Sequence, residues 1–208
     1  MKIKVCGMRL ASNIKDLGAL DIDFMGFIFY NKSSRNVEEL PIINIPENIK
    51  RVGVFVNASV EEIEQLAKEF NLDYIQLHGD ESPEFCEALQ KKGYALFKAF
   101  AVDDAFDFKV LEAYEKACVY FLLDAKGSSY GGNGIQFDWK ILDQYTSEKP
   151  FFLSGGIDLK NIQSVLNLEL PQLYGIDVNS KFELSAAVKD ISKIKELVKE
   201  VNSKNGQN

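Results

Sequence analysis

The chain reads as an α/β protein built as a single-domain (β/α)8 barrel, and three observations predict that fold. Strand-like apolar runs alternate with helix-periodic stretches from end to end, with strands near 2–6, 22–29, 51–56, 73–77, 94–99, 118–124, 150–154 and 173–177. Several runs are apolar on both faces, as in Val52-Gly53-Val54-Phe55-Val56 and Tyr120-Phe121-Leu122-Leu123, which suits parallel strands covered on both sides. Many end on a polar residue or a glycine: Cys6-Gly7, His78-Gly79, Asp124, Ser154-Gly155-Gly156, and Asp177 to Ser180, with Arg35 following the second run. Parallel strands would deliver all of these tips to one face, where a barrel assembles its active site. An open doubly wound sheet usually stops at five or six strands, so eight favour closure.

The elements follow in order. Ile3-Lys4-Val5-Cys6-Gly7 opens the chain as strand one, and Met25-Gly26-Phe27-Ile28-Phe29 is the second strand. Pro41 and Pro46 break the stretch 36–50, which predicts irregular structure or a short helix there. Ser59 is placed to cap a helix over 60–70, with Glu62 completing a capping box. Val60, Ile63, Leu66, Ala67 and Phe70 form its apolar face. Ser82-Pro83 starts the next helix, with proline at its first position. Asp158 precedes the periodic set Leu159, Ile162, Val165 and Leu166. The last helix carries Ile191, Ile194, Leu197, Val198 and Val201. The barrel is expected to span 1–202, with 203–208 as a polar, disordered tail.

Bulk properties narrow the function. With 208 residues, 46% of them hydrophobic and 12% aromatic, the chain can bury a full core. A net charge of −7 argues against general nucleic-acid binding, and an anionic ligand must be drawn in by local positive features. No run approaches the length of a membrane span, and Met1-Lys2-Ile3-Lys4-Val5-Cys6 does not resemble a signal peptide. The three cysteines, Cys6, Cys86 and Cys118, have neither CxxC nor zinc spacing. The expectation is a reduced cytoplasmic protein with no metal and no cofactor, either a monomer or a homodimer.

Each candidate residue has two readings. Cys6 at a strand tip is a base or nucleophile if its pKa is lowered, or a small buried hydrophobe. Cys86 and Cys118 read as packing. Asp124, ending an apolar strand, is a general acid kept protonated by its surroundings, or a loop-starting Asp bonded to nearby N–H groups. Arg35 suits a carboxylate but is also an ordinary loop charge. Gly131-Gly132-Asn133-Gly134 is a weak phosphate cradle or a mobile cover. Gly155 and Gly156 let backbone N–H groups approach a ligand, and Asp177-Val178-Asn179-Ser180 can lead into a short helix whose N-terminus binds an anion. His78, the sole histidine, suits a structural or supporting role and cannot build a metal site alone.

Taken in order, these pieces resemble the phosphoribosylanthranilate isomerase family. The resemblance rests on Lys4-Val5-Cys6-Gly7, Gly26-Phe27-Ile28-Phe29 with Ser33-Ser34-Arg35, Val52-Gly53-Val54-Phe55, Gln76-Leu77-His78-Gly79 and Leu123-Asp124. It continues through Gly131-Gly132-Asn133-Gly134 with Phe137-Asp138-Trp139, Leu153-Ser154-Gly155-Gly156, and Asp177 to Ser180 with Glu183. It implies a cofactor-independent enzyme of tryptophan biosynthesis acting on a small phosphorylated substrate. By matching position, Cys6 is implied as general base, Asp124 as general acid and Arg35 as the holder of the anthranilate carboxylate. Gly155, Gly156, Asn179 and Ser180 are implied to form the phosphate site. His78, Asp177 and Lys181 are implied as supporting or substrate-contacting residues. The implied reaction is an Amadori rearrangement, which needs one group protonated and one ionised at the same pH.

The sequence departs from the family pattern in three places. Ser34 replaces the proline of Ser-Pro-Arg, which implies a looser loop around Arg35. Lys181 stands where glycine is usual, as either an obstacle to close approach or an added phosphate contact. Ser185-Ala186-Ala187-Val188-Lys189-Asp190 replaces the usual Pro-Gly-x-Lys-Asp. A metal-dependent sugar-phosphate epimerase would want more histidines, and a barrel that only binds would have no need of Cys6, Asp124 and Arg35 together.

Overall fold

A computed structural model describes residues 1–39, 44–125 and 138–206. Eight parallel strands close in sequence order: β1 (Lys2–Val5), β2 (Phe24–Phe29), β3 (Lys50–Phe55), β4 (Tyr74–Leu77), β5 (Leu96–Val102), β6 (Tyr120–Ala125), β7 (Phe151–Leu153) and β8 (Leu173–Val178). Closure comes from β1 pairing with β8, with Lys4 opposite Asp177. This is the (β/α)8 barrel that the alternation predicts, with every strand where an apolar run lies.

The outer layer is less regular. Its helices are α1 (Ala11–Gly18), α2 (Val60–Glu69), α3 (Pro83–Lys91), α4 (Ile162–Leu166) and α5 (Ile191–Asn205). The Ser59 hydroxyl accepts from the Glu62 N–H, and the Ser82 hydroxyl accepts from the Phe85 N–H, so both predicted caps form. Among the described residues no helix joins β2 to β3, as the two prolines suggest. Short 3-10 segments stand at Phe108–Tyr114 and Trp139–Gln144 in place of full helices.

Two helix ends differ from expectation. Asp158 does not start a helix directly; its carboxylate accepts from the Lys160 and Asn161 N–H groups in a local turn, and α4 begins at Ile162. The last helix runs past Ser203 to Asn205, because Asp190 caps its start and the Ser203 hydroxyl bonds the Lys199 carbonyl one turn back. Between β8 and α5 a small antiparallel hairpin, β9 (Glu183–Ser185) and β10 (Val188–Lys189), stands beside the barrel.

Strand periodicity divides the barrel interior into two levels. At the N-terminal level Phe24, Phe97 and Phe152 pack with Val52 and Leu122, edged by Tyr74, Tyr120 and Tyr174. The rings meet edge-on or tilted, with centroids 5.3 Å apart for Phe24 and Phe152 and 5.2 Å for Phe97 and Phe152. Each buried phenylalanine contributes about 1.5–3 kcal/mol by leaving water. Gly175 makes room for them, since a Cβ there would lie 2.5 Å from the Phe152 ring. Two and four residues further along the same strands come the groups that face the other end: Gln76 and His78 after Tyr74, and Asp124 after Tyr120 and Leu122.

Candidate active site

A pocket at the C-terminal end of the barrel is lined by Cys6, Arg35, Gln76, His78, Asp124 and Asp177, among others, and encloses about 530 Å³ of space including its open mouth. Residues from β1, β4, β6 and β8, or from the turns just after them, therefore meet in one place, as parallel strand tips must.

Cys6 follows β1, its N–H donating to the Val178 carbonyl at 2.9 Å. Its thiol fits because the facing position is Gly26, where a Cβ would lie 2.8 Å from the sulfur. Burial pushes the Cys6 thiol up from its ordinary pKa; the Lys4 and Lys189 ammonium groups oppose this, and Asp177 adds to it. The lowered pKa expected of a rim base is thus not the resting state, because burial outweighs two nearby cations.

Lys4 sits one level below Cys6 on the same strand and is fully buried, with its ammonium 2.9 Å from an Asp177 carboxylate oxygen. The contact is an ion pair out of line for a hydrogen bond, and neither Lys4 Nζ nor Asp177 Oδ1 has a hydrogen-bond partner among the described residues. Burial raises the Asp177 carboxyl above its ordinary value, with Lys4 opposing and the Asp124 charge adding to the rise.

Asp124 is the penultimate residue of β6, buried, with Oδ2 3.3 Å from His78 Nε2. His78 Nδ1 lies 2.8 Å from the Gln76 side-chain nitrogen. With the Gln76 amide assigned in this orientation its N–H donates and Nδ1 accepts, an arrangement that in a neutral ring sets the proton on Nε2, facing Asp124. The backbone around His78 is held by buried Lys98, whose ammonium donates to the Gly79 carbonyl at 2.7 Å and the Leu77 carbonyl at 3.4 Å. Glu81 completes this support by accepting from the Gly79 N–H.

Arg35 reaches the pocket from the loop after β2. Its Nε donates to Glu183 Oε1 at 2.9 Å and its Nη2 to Oε2 at 2.7 Å, a bidentate pair. Ser34, at which a looser loop is expected, lies in a hydrogen-bonded turn. The Arg35 N–H donates to the Ser33 hydroxyl, the Asn36 N–H to the Ser33 carbonyl, and Arg9 to the Ser34 and Asn36 carbonyls. Hydrogen bonds close the turn where a proline would have stiffened it.

On the opposite wall Gly155 and Gly156 both have left-handed φ, at 88° and 69°, directly after the lining residue Ser154. A Cβ on Gly155 would meet the Ala125 backbone nitrogen at 2.5 Å, so only glycine fits. Asn179 lines the pocket, but its side-chain oxygen is taken by the Lys189 ammonium at 2.6 Å. Ser180 opens a 3-10 turn of three residues, Ser180–Phe182, in place of the expected short helix. Lys181 is exposed and does not line the pocket. Residues 131–134, the glycine-rich stretch, lie outside the described residues. Among the described residues no group of three or more His, Cys, Asp or Glu is placed to hold a metal.

Sequence reading left Lys4, Gln76, Glu183 and Lys189 without roles. Lys4 and Gln76 were legible by strand period, each standing two residues before Cys6 or His78 on the same face. Glu183 and Lys189 approach Arg35 from 148 residues away or more in the chain, which no local pattern reveals.

Comparison with known proteins places the chain. The sequence profile of N-(5'-phosphoribosyl)anthranilate (PRA) isomerase matches residues 3–200. An N-(5'-phosphoribosyl)anthranilate isomerase of Parabacteroides distasonis is 47% identical over 206 residues, covering 97% of this chain and 93% of that protein. Phosphoribosyl anthranilate isomerase from Thermus thermophilus superposes with a TM-score of 0.84 at 27% identity, covering 98% of this chain and 99% of the other. A phosphoribosyl anthranilate isomerase in complex with reduced 1-(o-carboxyphenylamino)-1-deoxyribulose 5-phosphate gives 0.82 at 28% identity, over 98% and 99% of the two chains. With the profile matching nearly its whole length and a relative at 47% identity, the chain belongs to the N-(5'-phosphoribosyl)anthranilate isomerase family.

Proposed function

We propose that this enzyme converts N-(5-phosphoribosyl)anthranilate to 1-(2-carboxyphenylamino)-1-deoxyribulose 5-phosphate, with Asp124 as general acid and Cys6 as general base. The observation that carries the reading is the placement of Cys6 and Asp124 in one pocket with Arg35 at its edge. Asp124 protonates the ribose ring oxygen, and the ring opens to a Schiff base. Cys6 takes the proton from C2, and the resulting enolamine tautomerises to the ketose. Substrate and product are isomers, and the proton Asp124 gives is matched by the one Cys6 takes, so the reaction balances without an oxidant or reductant.

Cys6 must lose its proton to act. Lys4 beneath it supplies the positive charge that a buried thiolate needs, and Lys189 adds to it. His78 Nε2, 3.3 Å from Asp124 Oδ2, orients that carboxyl and, carrying a proton, stabilises it once it has given up its own. Both ends of the substrate are anionic. Arg35 meets the carboxylate, and the backbone N–H groups around Gly155, Gly156 and Ser180 meet the phosphate. A cytoplasmic enzyme fits this biosynthetic role.

The test is turnover of freshly generated phosphoribosylanthranilate, followed by loss of its fluorescence. Cys6→Ala and Asp124→Asn should each lower kcat by about 10²–10⁴-fold with little change in affinity for a product analogue. Near-normal turnover in either variant would remove that residue from the proton-transfer scheme.

A further inference from the structure

The Arg35 guanidinium does not stand alone at the pocket edge. Glu183 grips the edge formed by Nε and Nη2, at 2.9 and 2.7 Å. The terminal edge, with Nη1 and the second Nη2 proton, makes no hydrogen bond with a described residue. The Glu183 carboxylate is itself fixed: Oε1 accepts from the Lys189 ammonium at 2.6 Å and from the Ala187 N–H at 3.1 Å. Lys189, with a fully buried side chain, reaches across to Asn179 at 2.6 Å. Gly7 leaves the space for this convergence, since a Cβ there would lie 2.8 Å from both Arg35 Cδ and Asn179 Oδ1.

The charges decide what the cluster can do. Two cations and one carboxylate leave one net positive charge, held on the edge of an otherwise acidic protein. Burial alone would raise the Glu183 carboxyl, but Arg35 and Lys189 outweigh it and keep it ionised. A planar guanidinium gripped on one edge presents its other edge at a fixed angle, which is what bidentate recognition of a second carboxylate requires. Ala187 holds the hairpin in this register at a left-handed φ of 65°, a strained setting for a residue with a side chain.

We propose that Glu183 is a positioning residue for substrate selection, fixing the free edge of Arg35 so that the site prefers ligands bearing a carboxylate on the aromatic ring. This rests on the reading of Arg35 as the carboxylate holder. Glu183 does not touch the substrate; it acts through Arg35.

The test uses two product-like ligands, a reduced phenylamino-deoxyribulose phosphate with the ring carboxylate and one without it. Binding of each to the whole enzyme is measured by calorimetry. Glu183→Gln should weaken the carboxylated ligand by roughly ten- to a hundredfold and leave the other within about twofold. Arg35→Ala should remove the preference altogether, and the double variant should be no worse than Arg35→Ala.

If Arg35→Ala keeps the preference, the carboxylate reading of Arg35 fails and this inference with it. If Arg35→Ala loses the preference but Glu183→Gln keeps it, only the positioning role fails. Equal weakening of both ligands by Glu183→Gln would reduce Glu183 to a structural part and also overturn the proposal. Should Glu183→Gln not fold, Glu183→Asp keeps the charge but draws Arg35 back, and a selective loss for the carboxylated ligand is again expected. Unchanged selectivity in Glu183→Asp would count against the role.

Discussion

Replacing Lys4 by methionine separates two jobs that one ammonium performs. The side chain is fully buried and lies 2.9 Å from Asp177. Methionine preserves most of the volume, so the change is chiefly one of charge. Removing one partner of a buried pair costs about 3–5 kcal/mol, because the remaining carboxylate is left in a poor dielectric. With a urea dependence of about 3 kcal/mol per M, the midpoint should fall by about 1–2 M.

The pH dependence has a definite sign. Asp177 already titrates above its ordinary value, and without Lys4 it titrates higher still. At pH below both raised values the carboxyl is neutral with or without Lys4, so the deficit is small. It grows as pH rises from the wild-type value to that of Lys4→Met, and levels off above the second. Adding Asp177→Asn to Lys4→Met should recover most of the loss at neutral pH. A deficit independent of pH and unrelieved by Asp177→Asn would show that Lys4 matters for packing, not charge. Activity at neutral pH should also fall in Lys4→Met, since Lys4 is the largest influence opposing the rise in the Cys6 pKa.

Other outcomes follow from single contacts. Alkylation of Cys6 by iodoacetamide, read by peptide mass spectrometry, should still be accelerating at pH values above the ordinary thiol range, because burial raises its pKa; a plateau by neutral pH would contradict that. Gly155→Ala should cost about 2–5 kcal/mol in chemical denaturation, from left-handed strain and collision with Ala125. Gly93→Ala is its control: φ is 95° but nothing lies within 4 Å, so about 1–2 kcal/mol is expected, and equal losses in the two would mean that crowding at Gly155 is unimportant. Lys181→Gly should leave KM within about twofold, as its exposed side chain does not line the pocket; a several-fold rise would restore it as a phosphate contact.

The barrel was legible because its cause is local and repeated. Each strand announces itself as an apolar run, and parallel pairing then fixes where Cys6, His78, Asp124 and Asp177 must meet. Strand period alone sets Lys4 beneath Cys6, a placement the sequence reading did not draw, and the consequence for the thiol needed three dimensions: burial and two cations oppose one another, and their balance is not written in the spacing. The outer layer was less legible. Phe108–Tyr114 and Trp139–Gln144 form 3-10 segments where alternation alone suggests α-helix. The expectation for the loop around Arg35 weighed only the proline ring missing at Ser34, whereas the turn is also closed by the Ser33 hydroxyl and carbonyl and by Arg9, contacts no local pattern announces. The grip of Glu183 on Arg35 depends on a hairpin packed against a distant loop, which only closure of the barrel creates.

The aromatic packing at the N-terminal level makes the barrel a cup and not a tube. Phe24, Phe97 and Phe152 fill its floor, and no side chain of that layer can retreat far, since the rings already meet at 5.2–5.8 Å. Among the described residues the N-terminal end is therefore closed, and the pocket opens at the other end. A floor of packed rings thus makes the C-terminal mouth the side from which a ligand reaches Cys6 and Asp124, and a product still seated there blocks the next substrate.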